Sequence, residues 1–315
     1  MLKIVRHDAT EPKRNGNGNG LGGNGNMAEH EIRGYQVLEK VGTGARSVIY
    51  KVREKKTGHL LAIKRVRRSS TYGDKFLRHV KSEFASGQVL QDPRGTEAFH
   101  PNIVMMHRLR ANRRWLKVDS YDLIMDYIEG KNLDEQNHYT PPEFVRIFLQ
   151  VSKALRYIHA RNMVHADIKP NNIIVSSNGK ATLIDFGFSC RAGTRLSSIK
   201  GTRDYIAPEQ VDGGIVDERT DIYNLGAAMY KLLAGRPLPA LIPEVNGDAH
   251  FIAAQKVAAV PLHKLRPDIP RSFADLIMKC CEKDPAKRPQ SILEVISVLE
   301  AVQVSFEQAK QAAAS

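Results

Sequence analysis

The segment "VHADIKPNN", residues 164–172, decides how the chain is read. It places one His, one Asp, one Lys and two Asn in nine positions, with neither the helical nor the strand-like period of apolar residues. Taken alone it also reads as an Asn/Asp-rich turn. Its surroundings are more regular. Upstream, Phe144, Phe148, Val151, Leu155 and Ile158 step by 4, 3, 4 and 3, which predicts one apolar face of a helix. Thr140 with Glu143 makes a capping box, and Pro141 sits at the first helical position, where its missing N–H is harmless. Downstream, "ERTDIYNLGAAMYKLLAGRP" and "SFADLIMKCCEKDP" predict further helices, the first stopped by Gly235 and Pro237.

Towards the N-terminus the texture is strand-like. "YQVLEKV", "SVIYKV" and "LLAIKRV" between residues 35 and 67 predict three antiparallel strands, followed by a helix near 74–90 and short strands that include "YDLIMDY" at 121–127. The order is a small sheet-rich part and then a larger helical part. The loop "GTGARSVIY" at 42–50 carries Gly42 and Gly44, whose backbone can approach phosphates closely, although two glycines between strands also suit an ordinary hairpin. One strand later "LAIK" ends in Lys64, and Glu83 on the following helix is an acidic partner that could orient it.

Length and composition allow a real core: 315 residues, 42% hydrophobic. Residues 15–26, "NGNGNGLGGNGN", offer no side chains to bury and read as a flexible linker behind an extension over 1–32. Cys190, Cys280 and Cys281 are too few and too badly placed for a disulfide framework, which favours a reducing, cytoplasmic setting. No apolar run approaches the roughly 20 residues of a membrane helix. The opening "MLKIVRHDAT" does not resemble a signal peptide. Of the net charge of +13, the window from Lys51 to Lys117 carries +12, with 17 Lys or Arg against 5 Asp or Glu. That excess suits either a surface for nucleic acid, anionic lipid or an acidic partner, or a solvated face that partly meets nucleotide phosphates. Without zinc-ligand spacing or interleaved aromatics, nucleic acid is not expected.

Six elements in one order, namely the glycine loop, "LAIK", Glu83, "VHADIKPNN", "DFG" at 185–187 and "APE" at 207–209, resemble the eukaryotic-type (Hanks-type) serine/threonine protein kinases. "HPNIV" at 100–104, "DIYNLG" at 221–226 and "DPAKRP" at 284–289 extend the resemblance over about residues 33–302, in the style of bacterial members. It implies an α+β, bilobal protein-kinase-like fold. A small N-terminal antiparallel β-sheet lobe with one main helix would span about 33–127, a larger mainly helical C-terminal lobe about 128–302, and a tail 303–315. It also implies Mg2+ and ATP as cofactors and protein substrates with Ser or Thr acceptors, Asp167 being the catalytic base and Lys169 steadying the γ-phosphate. Asn172 and Asp185 would hold the metal, and Lys64, oriented by Glu83, the α- and β-phosphates. Val41, Gly42, Thr43, Gly44, Ala45 and Ser47 would cover the nucleotide. Ile49, Ala62 and Ile174 would surround the adenine, with Met125 at the back, "DYI" (Asp126 to Ile128) offering backbone hydrogen bonds and Asn132 reaching the ribose. Asp221 would bond the catalytic-loop backbone, Glu209 and Arg288 would form a structural pair, and Thr202 would line the acceptor site, favouring Ser/Thr over Tyr.

Three departures stand out. Ser47 replaces the third glycine of the loop, with Arg46 at its tip; Gly87 replaces a large apolar residue expected to pack on Phe186; and Ala166 replaces the Arg that usually pairs with a phosphorylated activation loop. The last predicts activity that does not depend on that pairing, although Ser197 and Ser198 lie in the corresponding segment near Arg191, Lys200 and Arg203. These substitutions are also what argues for a pseudokinase, a nucleotide-binding scaffold. A small-molecule phosphotransferase would not be expected to carry "APE", "DIYNLG" and "DPAKRP". Cys190 near "DFG" reads as an unreactive thiol rather than a redox sensor.

Overall fold

A computed structural model describes residues 32–44, 47–69, 71, 73–91, 98–135, 139–239, 241 and 259–314. The Asn/Gly-rich stretch, Ala45, Arg46 and most of the insertion before "HPNIV" lie outside the described residues. The chain divides into two compact units, one ending at Phe84 and resumed by Met105–Tyr127, the other made of Ala85–Val104 and the chain from Ile128 onward.

The first unit is a five-stranded antiparallel sheet of β1 (Tyr35–Thr43), β2 (Ser47–Glu54), β3 (Leu60–Arg67), β4 (Met106–Arg114) and β5 (Lys117–Asp126), in the order β1-β2-β3-β5-β4. Helix α1 (Lys75–Leu90) follows β3 and continues into the second unit. Tyr35, Tyr50, Val52, Leu61, Ile63 and Ile124 pack into one apolar cluster with Ile32. The last two strands are nine and ten residues long, not short as expected. The sequence "MHRLRANRR" hides β4 because an edge strand can leave its charged side chains in water, which masks the period of two. Asp122 of β5 is fully buried, and its carboxylate accepts from Arg65 Nε (2.7 Å), Arg65 Nη2 (2.9 Å) and Arg110 Nη2 (2.9 Å). Burial alone would raise the pKa of Asp122, but these hydrogen bonds hold it below the ordinary carboxylate value.

The second unit begins with the short strand β6 (Lys131–Asn132) and helix α2 (Pro141–His159). All five residues of the predicted α2 face are no more than 4% exposed. The Glu143 carboxylate accepts from the Thr140 N–H at 2.9 Å, satisfying one donor at the helix start. The short strands β7 (Met163–Val164), β8 (Ile173–Val175), β9 (Ala181–Leu183), β10 (Cys190–Arg191) and β11 (Thr194–Arg195) carry the chain through the polar motif. Helix α3 (Pro208–Val211) and strand β12 (Ile215–Val216) lead to α4 (Glu218–Ala234). Gly235 ends α4 at φ +68°, the left-handed cap that glycine adopts without strain. Helices α5 (Leu262–Leu265), α6 (Arg271–Cys280) and α7 (Ile292–Ala314) complete the unit, α7 running unbroken through residues 303–314. Gly226 lets α4 approach α6 closely, since a Cβ there would lie 2.6 Å from Cys280 Cβ. Arg288 has all five guanidinium donors satisfied: two to Glu209 (2.8 and 2.9 Å) and three to the carbonyls of Glu282, Arg219 and Lys283 (2.8, 2.8 and 3.1 Å).

Candidate active site

The polar motif is held from beneath by Asp221, near the start of α4. Its carboxylate accepts the N–H of His165 (2.9 Å) and of Ala166 (2.7 Å) and meets His159 Nε2 at 2.9 Å. Ala166 sits at φ +62°, a backbone conformation that costs a residue with a Cβ about 1–2 kcal/mol. The fully buried Asp221 holds it there. The imidazole of His165 is also fully buried, 5.0 Å from the Phe186 ring centroid, and its Nδ1 accepts the Asp167 N–H at 3.3 Å. Burial pushes the His165 pKa down against the pull of Asp221, Asp167 and Asp185, so the ring is neutral near pH 7.

Around Asp167 the side chains converge. Thr202 Oγ1 donates to Asp167 Oδ1 at 2.9 Å and accepts from Lys169 Nζ at 2.7 Å, while Lys169 Nζ stands 3.1 Å from Asp167 Oδ2. Asn172 Nδ2 donates to the Asp167 carbonyl (2.9 Å) and to Oδ2 (3.2 Å), which turns the amide oxygen of Asn172 away from Asp167. A backbone bond from Ile184 N–H to Asn172 C=O (2.9 Å) places Asp185 next to Asn172. Asp185 has φ +62°, and its Oδ1 accepts the Gly187 N–H at 3.1 Å. Asn172 and Asp185 each carry a hard side-chain oxygen donor. Among the described residues no group of three or more His, Cys, Asp or Glu could hold a metal. A cation held by this pair would take its remaining ligands from water or phosphate oxygens, a donor set that suits Mg2+.

In the sheet unit Lys64 Nζ contacts both Glu83 oxygens at 2.9 Å, with side-chain exposures of 16% and 3%. Gly42 pairs with Ile49 and Thr43 with Val48, Val41 precedes them on β1, and Ile49 pairs with Lys64. The Gly44 N–H bonds the Ser47 carbonyl at 2.8 Å, joining the end of β1 to the start of β2. Ala62 pairs with Met125 on the neighbouring strand. The Asp126 N–H goes to the Met105 carbonyl (3.0 Å), so it is not open to a base, and its carboxylate meets His107 Nε2 (2.7 Å). Ile128 belongs to the second unit, where Asn132 pairs with Ile174. The Asn132 side-chain oxygen is occupied, accepting the N–H of Asp134 and of Glu135 at 3.0 Å, which leaves its amide hydrogens for a ribose.

No motif in the sequence points to Gln210. Fully buried, it donates to the carbonyls of Ala166 (2.8 Å) and Lys200 (3.0 Å), tying the polar motif to the segment before Thr202. The substitution at Gly87 opens no gap to solvent, for Gly87 is buried and Phe186 is 1% exposed. Burial raises the Cys190 thiol above its ordinary pKa, the opposite of what a reactive cysteine needs.

The model of the protein kinase domain matches residues 35–303. The chain is 32% identical over 283 residues to a probable serine/threonine-protein kinase of Clostridium perfringens, covering 85% of this chain and 38% of that protein. It is 31% identical over 264 residues to serine/threonine-protein kinase PrkC of Bacillus subtilis (81% and 38%) and 29% identical over 264 residues to an Aurora kinase of Yarrowia lipolytica (82% and 66%). The chain thus spans about two fifths of the length of the bacterial relatives. With the kinase model matching most of its length and bacterial and eukaryotic kinases among its relatives, the chain belongs to the eukaryotic-type (Hanks-type) protein kinase family.

Proposed function

We propose that the chain is a serine/threonine protein kinase that transfers the γ-phosphoryl group of ATP to Ser or Thr hydroxyls of protein substrates. The observation that carries this reading is the bonded group Asp167, Lys169 and Thr202. A carboxylate held in place by Thr202 on one oxygen and by Asn172 and Lys169 on the other can take a proton from an incoming hydroxyl, and the lysine can neutralise charge on the transferred group. Thr202 fixes both and shapes the acceptor side. Asn172 and Asp185 present oxygen donors for Mg2+, which when bound supplies charge neutralisation at the phosphates. Lys64, fixed by both oxygens of Glu83, would bind the α- and β-phosphates without first losing side-chain freedom. Val41 to Thr43, Gly44, Ser47, Ile49, Ala62, Met125, the Asp126 carbonyl, Ile128, Asn132 and Ile174 would bind the rest of the nucleotide.

The test is incubation of the purified chain with labelled ATP, Mg2+ and a generic protein acceptor, with Asp167→Asn as control. Label on Ser or Thr of the acceptor, lost in the control, is the expected result. Nucleotide binding without transfer would instead mark a pseudokinase scaffold, and label in a small molecule alone would overturn the protein-kinase reading.

A further inference from the structure

The tip of the β4–β5 hairpin lies outside the residues assigned above to phosphoryl transfer, and it is built in an unusual way. Arg114 pairs with Lys117, so Trp115 and Leu116 form a two-residue turn. Trp115 has φ +58°, at the turn position where glycine is favoured and a bulky side chain is strained. Neither apolar side chain gains packing in return: Trp115 is 92% exposed and Leu116 93%. Strain retained without stabilisation points to a role outside the fold. The flanks are basic, with Arg113, Arg114 and Lys117 all exposed. Arg68 lies against the same tip, its Nε donating to the Val118 carbonyl at 3.1 Å. The nearby acidic groups are Asp119, which is exposed, and Asp74, which is paired with Arg68 at 3.0 Å. The local balance stays positive.

We propose that this tip is a membrane-contact element, in which Trp115 and Leu116 enter the interfacial layer of an anionic bilayer while Arg113, Arg114 and Lys117 meet lipid phosphates. Two features favour lipid over protein. A two-residue tip offers far less area than the roughly 1,000 Å2 that a specific protein interface needs, whereas partition into a bilayer requires no matching cavity. An indole ringed by Arg and Lys also matches the headgroup level, where an amphipathic ring and cationic ends are both satisfied. No helix among the described residues is long and apolar enough to cross a membrane.

Trp115 is the chain's one tryptophan, so its emission reports this site without mutation. Adding phosphatidylcholine vesicles containing phosphatidylserine to the full chain should shift that emission to the blue, and brominated lipid should quench it. Pure phosphatidylcholine vesicles should do much less, and added salt should weaken the effect. In co-sedimentation with the anionic vesicles, R113S/R114S/K117S and separately W115S/L116S should bind about tenfold or more weakly while melting like the parent chain. Unmoved emission in the presence of anionic vesicles, or variants that sediment like the parent, would overturn the proposal. An emission shift with poly-glutamate but not with vesicles would overturn it too, in favour of an acidic protein partner.

Discussion

Asp221 accepts the backbone N–H of Ala166 at 2.7 Å, and that one bond helps hold an alanine at φ +62° at the centre of the candidate active site. Asparagine at 221 would offer a single oxygen to the N–H groups of His165 and Ala166 and turn a second donor towards them. Asp221→Asn should therefore lower stability by about 3 kcal/mol, the scale of a broken buried charge network, and slow turnover at least tenfold by about the same loosening of Asp167. Denaturant unfolding and initial rates check both parts; unchanged values for either would separate the support from the chemistry.

Thr202 bridges Lys169 and Asp167 through one hydroxyl. Thr202→Val keeps the shape and removes the bridge, so the rate constant kcat should fall by about tenfold or more, while Thr202→Ser retains most of it. Equal losses in the two variants would assign Thr202 to packing instead.

Ala166 offers no cation to a phosphate on the segment that carries Ser197 and Ser198. It is also 2% exposed, with its carbonyl taken by Gln210. The double variant Ser197→Ala, Ser198→Ala should keep its activity within about tenfold of the parent, equivalent to about 1.4 kcal/mol of barrier. A larger loss in a phosphate-incorporation assay would show that another group receives a phosphate.

Arg288 spends all five donors on Glu209 and three carbonyls, and its guanidinium lies 4.8 Å from the Tyr223 ring centroid. Lysine keeps the charge but cannot reproduce the fork. Arg288→Lys should cost about 3 kcal/mol, read as a lowered denaturation midpoint; a loss below about 1 kcal/mol would mean that water replaces the missing donors.

Asp122 predicts a pH signature. Its folded pKa lies below the unfolded value because Arg65 and Arg110 outweigh the cost of burial, so its stabilisation is present above the unfolded pKa and is lost as pH falls through the folded one. Asp122→Asn should be less stable by about 3 kcal/mol at neutral pH. The gap should hold down to about pH 5 and narrow below about pH 4. Urea unfolding of both proteins across that range tests it, and a gap independent of pH would show that charge is not what Asp122 contributes.

The local features were legible because their physics is local. The α2 face, the Gly235 cap and the cluster of polar residue types at 164–172 depend on neighbours three or four positions away, and a short motif states them completely. Other features exist only after strands and helices meet. Arg65 and Asp122 are 57 residues apart, and nothing near either announces a buried carboxylate shared by two arginines. Gln210 reaches Ala166 across 44 residues, and the Asn132 oxygen is taken up by its own turn, which leaves the amide hydrogens for a ribose. The sequence by itself determined which chemical groups are present and which helices carry them. Tertiary structure alone decided which of those groups are buried, which are already bonded and which, like Trp115, are held out in water, because burial and pairing depend on distances that a linear order does not contain.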